Sequence, residues 1–334
     1  MSWRLQNNVL RFAGTCLYAL SALGAITSIH AVAAESYPAK PVRIVVGFSP
    51  GGYMDLTSRL VAAPLATALG QQVVVDNRTG AGGVVGAEMA ARAAPDGYTL
   101  TVGSVGTHAI NQTLYRNLPY NIVRDFQPIA RLSDSTNILA VHPSLPARST
   151  RELLALARAQ PGQILYASAG AGTSTHIAAV LLEFLGKIKL VHIPYKGGGP
   201  ALVDVVAGQV PVTFGTAASV SPHTKTGRLR GLAITSSQRS MLLPELPTIA
   251  ESGLPGYEML NWAGLFAPAG TPRPVIDRLA AESLRIVRLP EFRDRLNAQG
   301  AEPSPLATDA FAAFVKSEVD KWAKVVTATG MTAE

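Results

Sequence analysis

Glycine and hydroxyl residues recur directly after apolar segments in this chain of 334 residues. The first such loop, residues 47–55 (GFSPGGYMD), follows the apolar segment 42–46 and precedes leucines spaced as one face of a helix. The pattern predicts a strand, a glycine turn and a helix start. In that arrangement, free backbone N–H groups and the positive end of a helix dipole point at one place, which favours the binding of an anion.

Four more loops of this composition follow predicted strands, at residues 76–86, 103–108, 168–176 and 194–200. The carboxyl ends of strands are where open α/β sheets bind ligands. Glycine lets the backbone approach a ligand closely, and serine and threonine add hydroxyl donors, so a carboxylate can be held without arginine. A tight strand–helix connection without a ligand is the alternative for any single loop. The hydroxyl residues concerned are Ser49, Ser104, Thr107, Thr173, Ser174 and Thr175.

Titratable residues near these loops have more than one possible role. Asp55 falls in the first turn of its predicted helix, where it can compensate the dipole or act as a cap. His176 follows Ser174 closely, which could indicate a base and a nucleophile. No Gly-x-Ser-x-Gly elbow is present, however, and a hydrogen-bonding role for His176 is the alternative. Asp204 interrupts an apolar helix, so it needs a partner if it is buried and none if it lies on the surface.

Motifs for other kinds of chemistry are missing from the sequence. It contains neither His-Glu-x-x-His nor a P-loop, and the glycines of residues 80–86 lack the spacing and position of a dinucleotide fingerprint. We therefore predict no metal site and no cofactor. The 29 lysines and arginines are scattered among 22 acidic residues, without the basic tracts and exposed aromatics of nucleic-acid-binding proteins. The expected partner is a small anion, not a nucleic acid.

The N-terminus has the composition of a secretory signal peptide. Two arginines precede the uncharged apolar stretch 12–29, and residues 31–33 (AVA) fit a small-x-small cleavage site. Residues 1–34 are therefore predicted to be removed, with an uncleaved membrane anchor as the alternative. Cys16, the only cysteine, lies inside this segment, so the mature chain has no disulfide and no thiol nucleophile. Lipidation of Cys16 is a further alternative.

Apolar segments rich in β-formers alternate with helical patterns along the rest of the chain, which predicts βαβ units and parallel sheets. Capping boxes at residues 149–152 and 248–251, and the pair Thr271-Pro272, predict helix starts. Because the sequence contains no linker, we expect the chain to cross between two lobes near residues 133–137 and to return near residues 261–262. Strands are predicted at residues 42–46, 73–75, 98–102, 138–141, 164–167, 191–193, 210–214, 232–235 and 264–267.

Several motifs resemble those of the Bug family, the extracytoplasmic solute receptors of tripartite tricarboxylate transporters. The resemblance runs from about residue 37 to the C-terminus, in the order of the family. The motifs are residues 48–55 (FSPGGYMD), 77–83 (NRTGAGG), 94–100 (APDGYTL), 192–198 (HIPYKGG), 246–248 (LPT), 253–257 (GLPGY) and 267–272 (APAGTP).

The resemblance implies an α/β fold of the class II periplasmic binding-protein type, with two lobes and a central ligand cleft. It divides the chain into a signal peptide at 1–34, lobe 1 at 35–135 plus 262–334, and lobe 2 at 136–261. It implies a periplasmic, monomeric receptor without enzymatic activity. Such a receptor closes by a hinge motion around a small carboxylate and delivers it to the permease subunits of a tripartite tricarboxylate transporter. Family ligands include di- and tricarboxylates, acidic amino acids and aromatic carboxylates.

In the family, main-chain amides, hydroxyl groups and water hold the carboxylate, and loops from both lobes supply them. By resemblance these loops are residues 49–55 and 170–176. The ligand-binding residues predicted on all these grounds are Ser49, Gly51, Gly52, Tyr53, Met54, Asp55, Ser104, Thr107, Ala169, Gly170, Thr173, Ser174, Thr175, His176, Tyr195, Thr216 and Ala217.

The chain departs from the family pattern at three places. Pro211 stands where the family usually has aspartate, and residues 215–218 (GTAA) are small and neutral where a polar residue is common. Tyr53 and Met54 occupy positions that are usually small and polar. These changes predict a different or bulkier distal group on the ligand, with an apolar or aromatic pocket. Tyr53 and Trp262 could line the cleft, or pack in the core as aromatic residues commonly do.

Two other functions are compatible with the sequence. One is a secreted serine hydrolase that uses Ser174, or another serine, with a histidine. The other is an orphan ligand sensor that has no dedicated permease.

Overall fold

Two mixed β-sheets with flanking helices carry the glycine-rich loops. The computed structural model describes residues 37–332, so the predicted signal peptide and Cys16 lie outside the described residues. Contacts divide the chain into the units Met1–Ala39 and Lys40–Glu334, and every element below belongs to the second unit. Within residues 37–332, no helix combines the length and apolar character needed to cross a membrane.

The first sheet has six strands: β1 (Val42–Val46), β2 (Val73–Asn77), β3 (Thr99–Ser104), β4 (Phe126–Ser135), β10 (Asn261–Pro268) and β11 (Ala301–Leu306). Their order is β11-β4-β10-β3-β1-β2. β1 pairs in parallel with β2 and β3. β10 is antiparallel to β3 and β4, and β4 is antiparallel to β11. A strand from late in the chain therefore lies near the middle of this sheet.

The second sheet has five strands: β5 (Asn137–Val141), β6 (Leu165–Ser168), β7 (Val191–Pro194), β8 (Val212–Thr216) and β9 (Arg230–Ile234). Their order is β7-β6-β8-β5-β9. β6 is parallel to β7 and β8, whereas β5 is antiparallel to β8 and β9. The expectation of parallel sheets was therefore wrong for the strands that join the two halves, although the predicted α/β fold class is confirmed.

Helices follow most strands closely. Those that begin after β1, β6, β7 and β8 start at the carboxyl ends of these strands. The described helices are α1 (Tyr53–Leu69), α2 (Val84–Ala91), α3 (Asn111–Leu114), α4 (Thr150–Ala159), α5 (Ser174–Gly186), α6 (Gly198–Val206), α7 (Ala217–Lys225), α8 (Arg273–Val287), α9 (Pro290–Asn297) and α10 (Thr308–Thr329). Short helical turns also form at Ala81–Gly83 and Gly106–Ile110.

The chain passes from one sheet to the other at Thr136, between the end of β4 and the start of β5. It comes back between Ile234, the last residue of β9, and Asn261, the first residue of β10. Each sheet therefore has its own strands while sharing two connections with the other sheet. The lobe boundaries at residues 135/136 and 261/262 stay a prediction.

α10 covers the antiparallel part of the first sheet. Its apolar stripe, predicted from the sequence, buries Phe311 and Trp322 against β4 and β10. Gly264 on β10 permits this close packing, because a Cβ atom there would lie 2.1 Å from Cζ of Phe311. Trp262 is fully buried in the same cluster, so it belongs to the core and not to the cleft.

Local predictions succeeded and failed for identifiable reasons. The capping box at residues 149–152 is confirmed, since Ser149 Oγ accepts the Glu152 N–H at 3.2 Å. The second box forms both reciprocal bonds between Thr248 and Glu251, each at 3.0 Å, but only turns follow it instead of a helix. Thr271 does not cap α8, because its hydroxyl donates to the Pro268 carbonyl and Pro272 is the N-cap.

Candidate functional site

A cavity of about 490 Å³ lies between loops that follow strands of both sheets. The first sheet contributes residues 48–54, Gly82 and residues 104–106. The second sheet contributes Ala169, residues 172–174, residues 197–198 and Thr216. Asn261, at the start of β10, also lines the cavity. All five glycine- and hydroxyl-rich loops singled out in the sequence therefore meet at one place.

The wall of this cavity is electrically unusual. Among the described residues that line it, none has a charged side chain. Four described helices begin at the wall, with Gly52, Thr173, Gly197 and Thr216 as their N-cap residues, and neither threonine side chain accepts a backbone N–H of its helix. Helix N-termini leave N–H groups without helical partners and carry a partial positive charge. The cavity therefore attracts anions through backbone dipoles.

The four helix starts are not equivalent. α1 carries Asp55 in its first turn, which compensates its dipole. The first turns of α5, α6 and α7 contain no acidic residue. Uncompensated positive potential is therefore concentrated on the side of the cavity that the second sheet provides.

Asp55 fixes the loop after β1 instead of lining the cavity. Its carboxylate is 2% exposed and accepts the Gly51 N–H at 2.9 Å, Arg59 Nε at 3.0 Å and Asn77 Nδ2 at 3.0 Å. Asn77 Nδ2 also donates to the Phe48 carbonyl at 3.0 Å. Burial by itself raises the pKa of Asp55, but the hydrogen bonds from Arg59, Gly51 and Asn77 outweigh it and hold the pKa below its ordinary value.

Asp55→Asn is expected to lower the free energy of unfolding by about 1–3 kcal/mol at neutral pH, because hydrogen bonds to a charged acceptor are lost. The folded-state pKa of Asp55 is depressed, so its contribution is complete above the unfolded-state pKa of about 3.9 and is lost as the pH falls through the folded-state pKa. Melting temperatures of both proteins, measured from pH 7 to pH 2.5, should therefore converge at the acidic end. A constant difference at every pH would contradict this account.

The loop after β3 is tied to a buried histidine. Thr107 Oγ1 accepts the Ser104 N–H at 3.0 Å and lies 2.9 Å from His108 Nδ1. His108 is packed between Phe126 and Phe266, and its burial lowers its pKa to about 3, so the imidazole is neutral. Thr107 was predicted to contact ligand, but its hydroxyl is used inside this network, and Ser104 is the residue that reaches the cavity wall.

The loop after β6 is held by its own hydroxyl groups. Thr175 Oγ1 accepts the Ala169 N–H at 2.8 Å and lies 3.0 Å from Thr173 Oγ1. Thr173 Oγ1 donates to the Gly170 carbonyl at 2.6 Å. Gly170 and Thr175 therefore shape the loop behind the wall, whereas Ala169 and Thr173 line it.

His176 does not form a nucleophile–base pair with Ser174. Its Nδ1 accepts the Gly172 N–H at 3.1 Å, and its ring stacks on His192 with 4.1 Å between centroids. Ser174 lines the cavity, and His176 does not. The hydrogen-bonding alternative for His176 is therefore the one that the structure shows.

Two further predicted residues lie behind the wall. The Tyr195 hydroxyl donates to Asp204 Oδ2 at 2.6 Å, and this bond is the main reason why the pKa of Tyr195 rises to about 12. Asp204 thus has a partner. Ala217 packs against Gly300, where an added Cβ atom would lie 2.6 Å from the Ala218 nitrogen. The small residues after β8 therefore leave room for the backbone at Gly300, which immediately precedes β11.

Tyr53 lines the cavity, but its hydroxyl is engaged elsewhere. The hydroxyl oxygen of Tyr53 lies 2.9 Å from Ser133 Oγ on β4. Burial, together with the nearby carboxylate of Asp134, raises the pKa of this hydroxyl well above its ordinary value. Tyr53 and Met54 together give this end of the cavity more bulk than small polar residues would.

Comparison with known proteins agrees with this geometry. The family model described as the tripartite tricarboxylate transporter family receptor matches residues 57–331. The chain belongs to this family. The receptor is 36% identical over 300 residues to BugT of Bordetella pertussis, covering 90% of this chain and 92% of the relative. The prediction of a Bug-type receptor is thereby confirmed.

Solved structures show the same fold. An R. palustris protein solved with adipate is 34% identical to this receptor and has a TM-score of 0.80, covering 89% of this chain and 99% of that one. MatC from Rhodopseudomonas palustris with bound malate is also 34% identical, with a TM-score of 0.77, covering 87% of this chain and 100% of that one. The predicted periplasmic binding-protein fold is confirmed.

The predicted site residues of this receptor fall into two groups. Those on the cavity wall are Ser49, Gly51, Gly52, Tyr53, Met54, Ser104, Ala169, Thr173, Ser174 and Thr216. Those placed behind it are Asp55, Thr107, Gly170, Thr175, His176, Tyr195 and Ala217. Ligand contact by any of them stays a prediction.

Some wall residues were not among the predicted ligand contacts. Most of them belong to the five loops and could have been included because glycines with hydroxyl neighbours marked those loops. Asn261 lies outside the loops, and its only signal was its position at the predicted return of the chain. The additional residues are Phe48, Pro50, Gly82, Val105, Gly106, Gly172, Gly197, Gly198 and Asn261.

Proposed function

We propose that this receptor captures a small carboxylate in the cavity between the two sheets, in the periplasm, and delivers it to the membrane permease of a tripartite tricarboxylate transporter. One observation carries the proposal. Four helix N-termini without side-chain caps surround a cavity, and none of the described residues on its wall has a charged side chain. Backbone N–H groups and dipoles of this kind are suited to carboxylates, and a cationic ligand would find no counter-charge there.

The relatives support the choice of anion. Adipate and malate, which the two solved relatives carry, are both dicarboxylates. We infer that one carboxylate of the ligand lies at the starts of α5, α6 and α7, where no acidic residue offsets the dipoles. The bulk of Tyr53 and Met54 is expected to select the other end of the ligand.

Capture is proposed to occur by closure of two lobes, residues 35–135 plus 262–334 and residues 136–261. The loops after β3 and β6 already approach each other closely, because a Cβ atom on Gly106 would lie 3.3 Å from the Gly172 carbonyl oxygen. The crossings at Thr136 and before Asn261 are the proposed hinge, since only a few residues there need to change their backbone angles. We propose a monomer, exported by a cleaved signal peptide.

A thermal-shift panel tests the carboxylate. Adipate, malate, glutamate and benzoate should be compared with adipamide, which has the length of adipate without its charge. A carboxylate at about 100 times its Kd adds about 2.7 kcal/mol, which raises Tm by several degrees. We expect at least one carboxylate to raise Tm and adipamide to have no effect. Equal shifts with adipate and adipamide, or none with any carboxylate, would refute the proposal.

The proposal includes the absence of catalysis. His176 does not serve as a base for Ser174, because its Nδ1 accepts the Gly172 N–H. Delivery to a permease, as opposed to sensing without one, is tested by capture of the membrane subunits on the immobilised, ligand-loaded receptor.

A further inference from the structure

Three aromatic rings stack behind the loop that follows β6. The Tyr166 and His192 centroids are 4.9 Å apart at an interplanar angle of 14°, and those of His192 and His176 are 4.1 Å apart at 10°. None of these rings lines the ligand cavity. Instead they line a separate pocket of about 450 Å³, between α5 and the end of α10. The three rings therefore have no direct contact with the ligand cavity and can influence it only through the loop after β6.

Hydrogen bonds connect the stack to the loop at two points. His176 Nδ1 accepts the N–H of Gly172, a residue of the cavity wall. On the other ring, His192 Nε2 lies 2.6 Å from Ser168 Oγ, which accepts the Gly170 N–H at 3.1 Å. The bond to His176 has one possible polarity, because a backbone nitrogen can only donate. Nδ1 must therefore be unprotonated, and the neutral imidazole carries its proton on Nε2.

We propose that His176 is a positioning residue, which holds residues 170–173 in their ligand-binding geometry only while its imidazole is neutral. The proposal rests on the proposed function in so far as the loop binds a carboxylate. A proton on Nδ1 would face the Gly172 N–H directly and would turn this hydrogen bond into a repulsion between two donors. Gly172 has a left-handed backbone, with φ of 73°, which glycine adopts as readily as a right-handed one.

The surroundings of His176 keep it neutral. The titratable groups that line the pocket with it are Tyr166 on β6, Glu183 on α5 and His192 on β7. The end of α10 contributes Ala328, Thr329 and Met331, which do not titrate. Burial, and then the proximity of His192, lowers the pKa of His176 to about 4, while burial also lowers that of His192. Burial raises the pKa of Glu183, and its Oε1 already accepts the Leu190 N–H at 2.7 Å.

The sign of the pH dependence follows from this shift. The pKa of an exposed histidine is about 6.5, and that of His176 in the folded protein is lower. The contribution of neutral His176 is therefore complete above about pH 6.5 and is lost progressively as the pH falls toward 4. We therefore expect residues 170–173 to become less firmly held over the same pH interval.

Two variants distinguish the hydrogen-bond acceptor of His176 from the stacking of its ring. His176→Asn places an amide oxygen near the position of Nδ1, so it keeps an acceptor and removes the titration. His176→Phe keeps a flat ring to stack on His192 and removes the acceptor. His142→Asn is the matched control, because His142 is a half-buried histidine bonded to Ser144 and lies away from both pockets.

The experiment has two readouts. Hydrogen exchange of the unliganded protein, followed in peptides that cover residues 168–176 from pH 7.5 to 4, reports the loop without any ligand. Calorimetric titration with adipate over the same interval reports binding. We expect His176→Phe to lose loop protection and to bind adipate about tenfold more weakly, because a backbone N–H loses its acceptor. Wild type and His142→Asn should lose protection and affinity at acid pH, whereas His176→Asn should not.

The outcomes discriminate clearly. Wild-type protection in His176→Phe, or the same pH profile in wild type and His176→Asn, would overturn the positioning role. Protonation of adipate itself affects all variants equally, so it cancels in the comparison. If no carboxylate binds any variant while the exchange profiles differ as expected, the proposed function fails and the positioning of the loop by His176 stands.

Discussion

Gly52→Phe is expected to weaken carboxylate binding about a hundredfold or more, equivalent to about 2.7 kcal/mol, and to leave the fold intact. Gly52 lines the cavity at the start of α1. Its φ of −79° suits any residue, and an added Cβ atom would meet only the Ser49 carbonyl oxygen, at 3.4 Å. The phenyl ring therefore costs the backbone little and occupies the region where helix N–H groups would meet the ligand.

The matched control is Ala310→Phe. Ala310 is an exposed residue in the first turn of α10, and it does not line the cavity. Calorimetry with the most effective carboxylate of the thermal-shift panel should show lost affinity for Gly52→Phe only. Both variants should melt close to wild type, as solvent-facing substitutions usually do. Undiminished affinity in Gly52→Phe would mean that the loop after β1 is not part of the site.

Glu318→Ala is expected to lower the free energy of unfolding by about 3–5 kcal/mol. Glu318 lies on α10 and is 5% exposed. Its Oε2 accepts both indole N–H groups, from Trp262 at 3.2 Å and from Trp322 at 3.1 Å. Alanine would leave two buried donors without an acceptor and would open a void beside them. Urea unfolding, followed by tryptophan fluorescence, measures the loss as a lower midpoint at an unchanged m-value.

Glu318→Gln separates hydrogen bonding from charge. Its amide oxygen can still accept the indole N–H groups, although the ion pair with Lys321 is lost. Lys321 is partly exposed, so that ion pair contributes little. We expect Glu318→Gln to retain most of the stability. Equal destabilisation by glutamine and alanine would show that the charge of Glu318, and not its role as an acceptor, stabilises the core.

The predictability of the fold from sequence depended on how each strand is buried. Largely apolar segments such as β1, in which Arg43 is the one charged residue, were recognised because buried parallel strands are nearly continuous in hydrophobic residues. β4 and β11 were missed. β11 contains prolines at 303 and 305, which are tolerated because it is an edge strand. β4 contains Pro128 and, near its C-terminal end, charged residues that form an ion pair with each other. Local patterns carry no information about antiparallel partners that arrive from distant parts of the chain.

The site was predictable at the level of loops and less so at the level of atoms. Glycine and hydroxyl composition indicated all five loops on the cavity wall. Composition could not show which polar groups the loops use on themselves. Asp55, Thr107 and Thr175 each accept a backbone N–H of their own loop, and this depends on turn geometry that the sequence pattern leaves open.

The late position of β10 in the chain has a consequence for how the protein is made. β10 lies between β3 and β4, and β11 lies on the other side of β4, so a nascent chain that stops before residue 261 leaves one edge of β3 and both edges of β4 without partners. The first sheet cannot be completed until most of the polypeptide has been synthesised, and pairing across such long sequence separations slows folding. The strands of the first sheet in the unfinished chain therefore stay without their final partners, and accessible to proteases or chaperones, for longer than those of a protein whose sheet forms from consecutive strands.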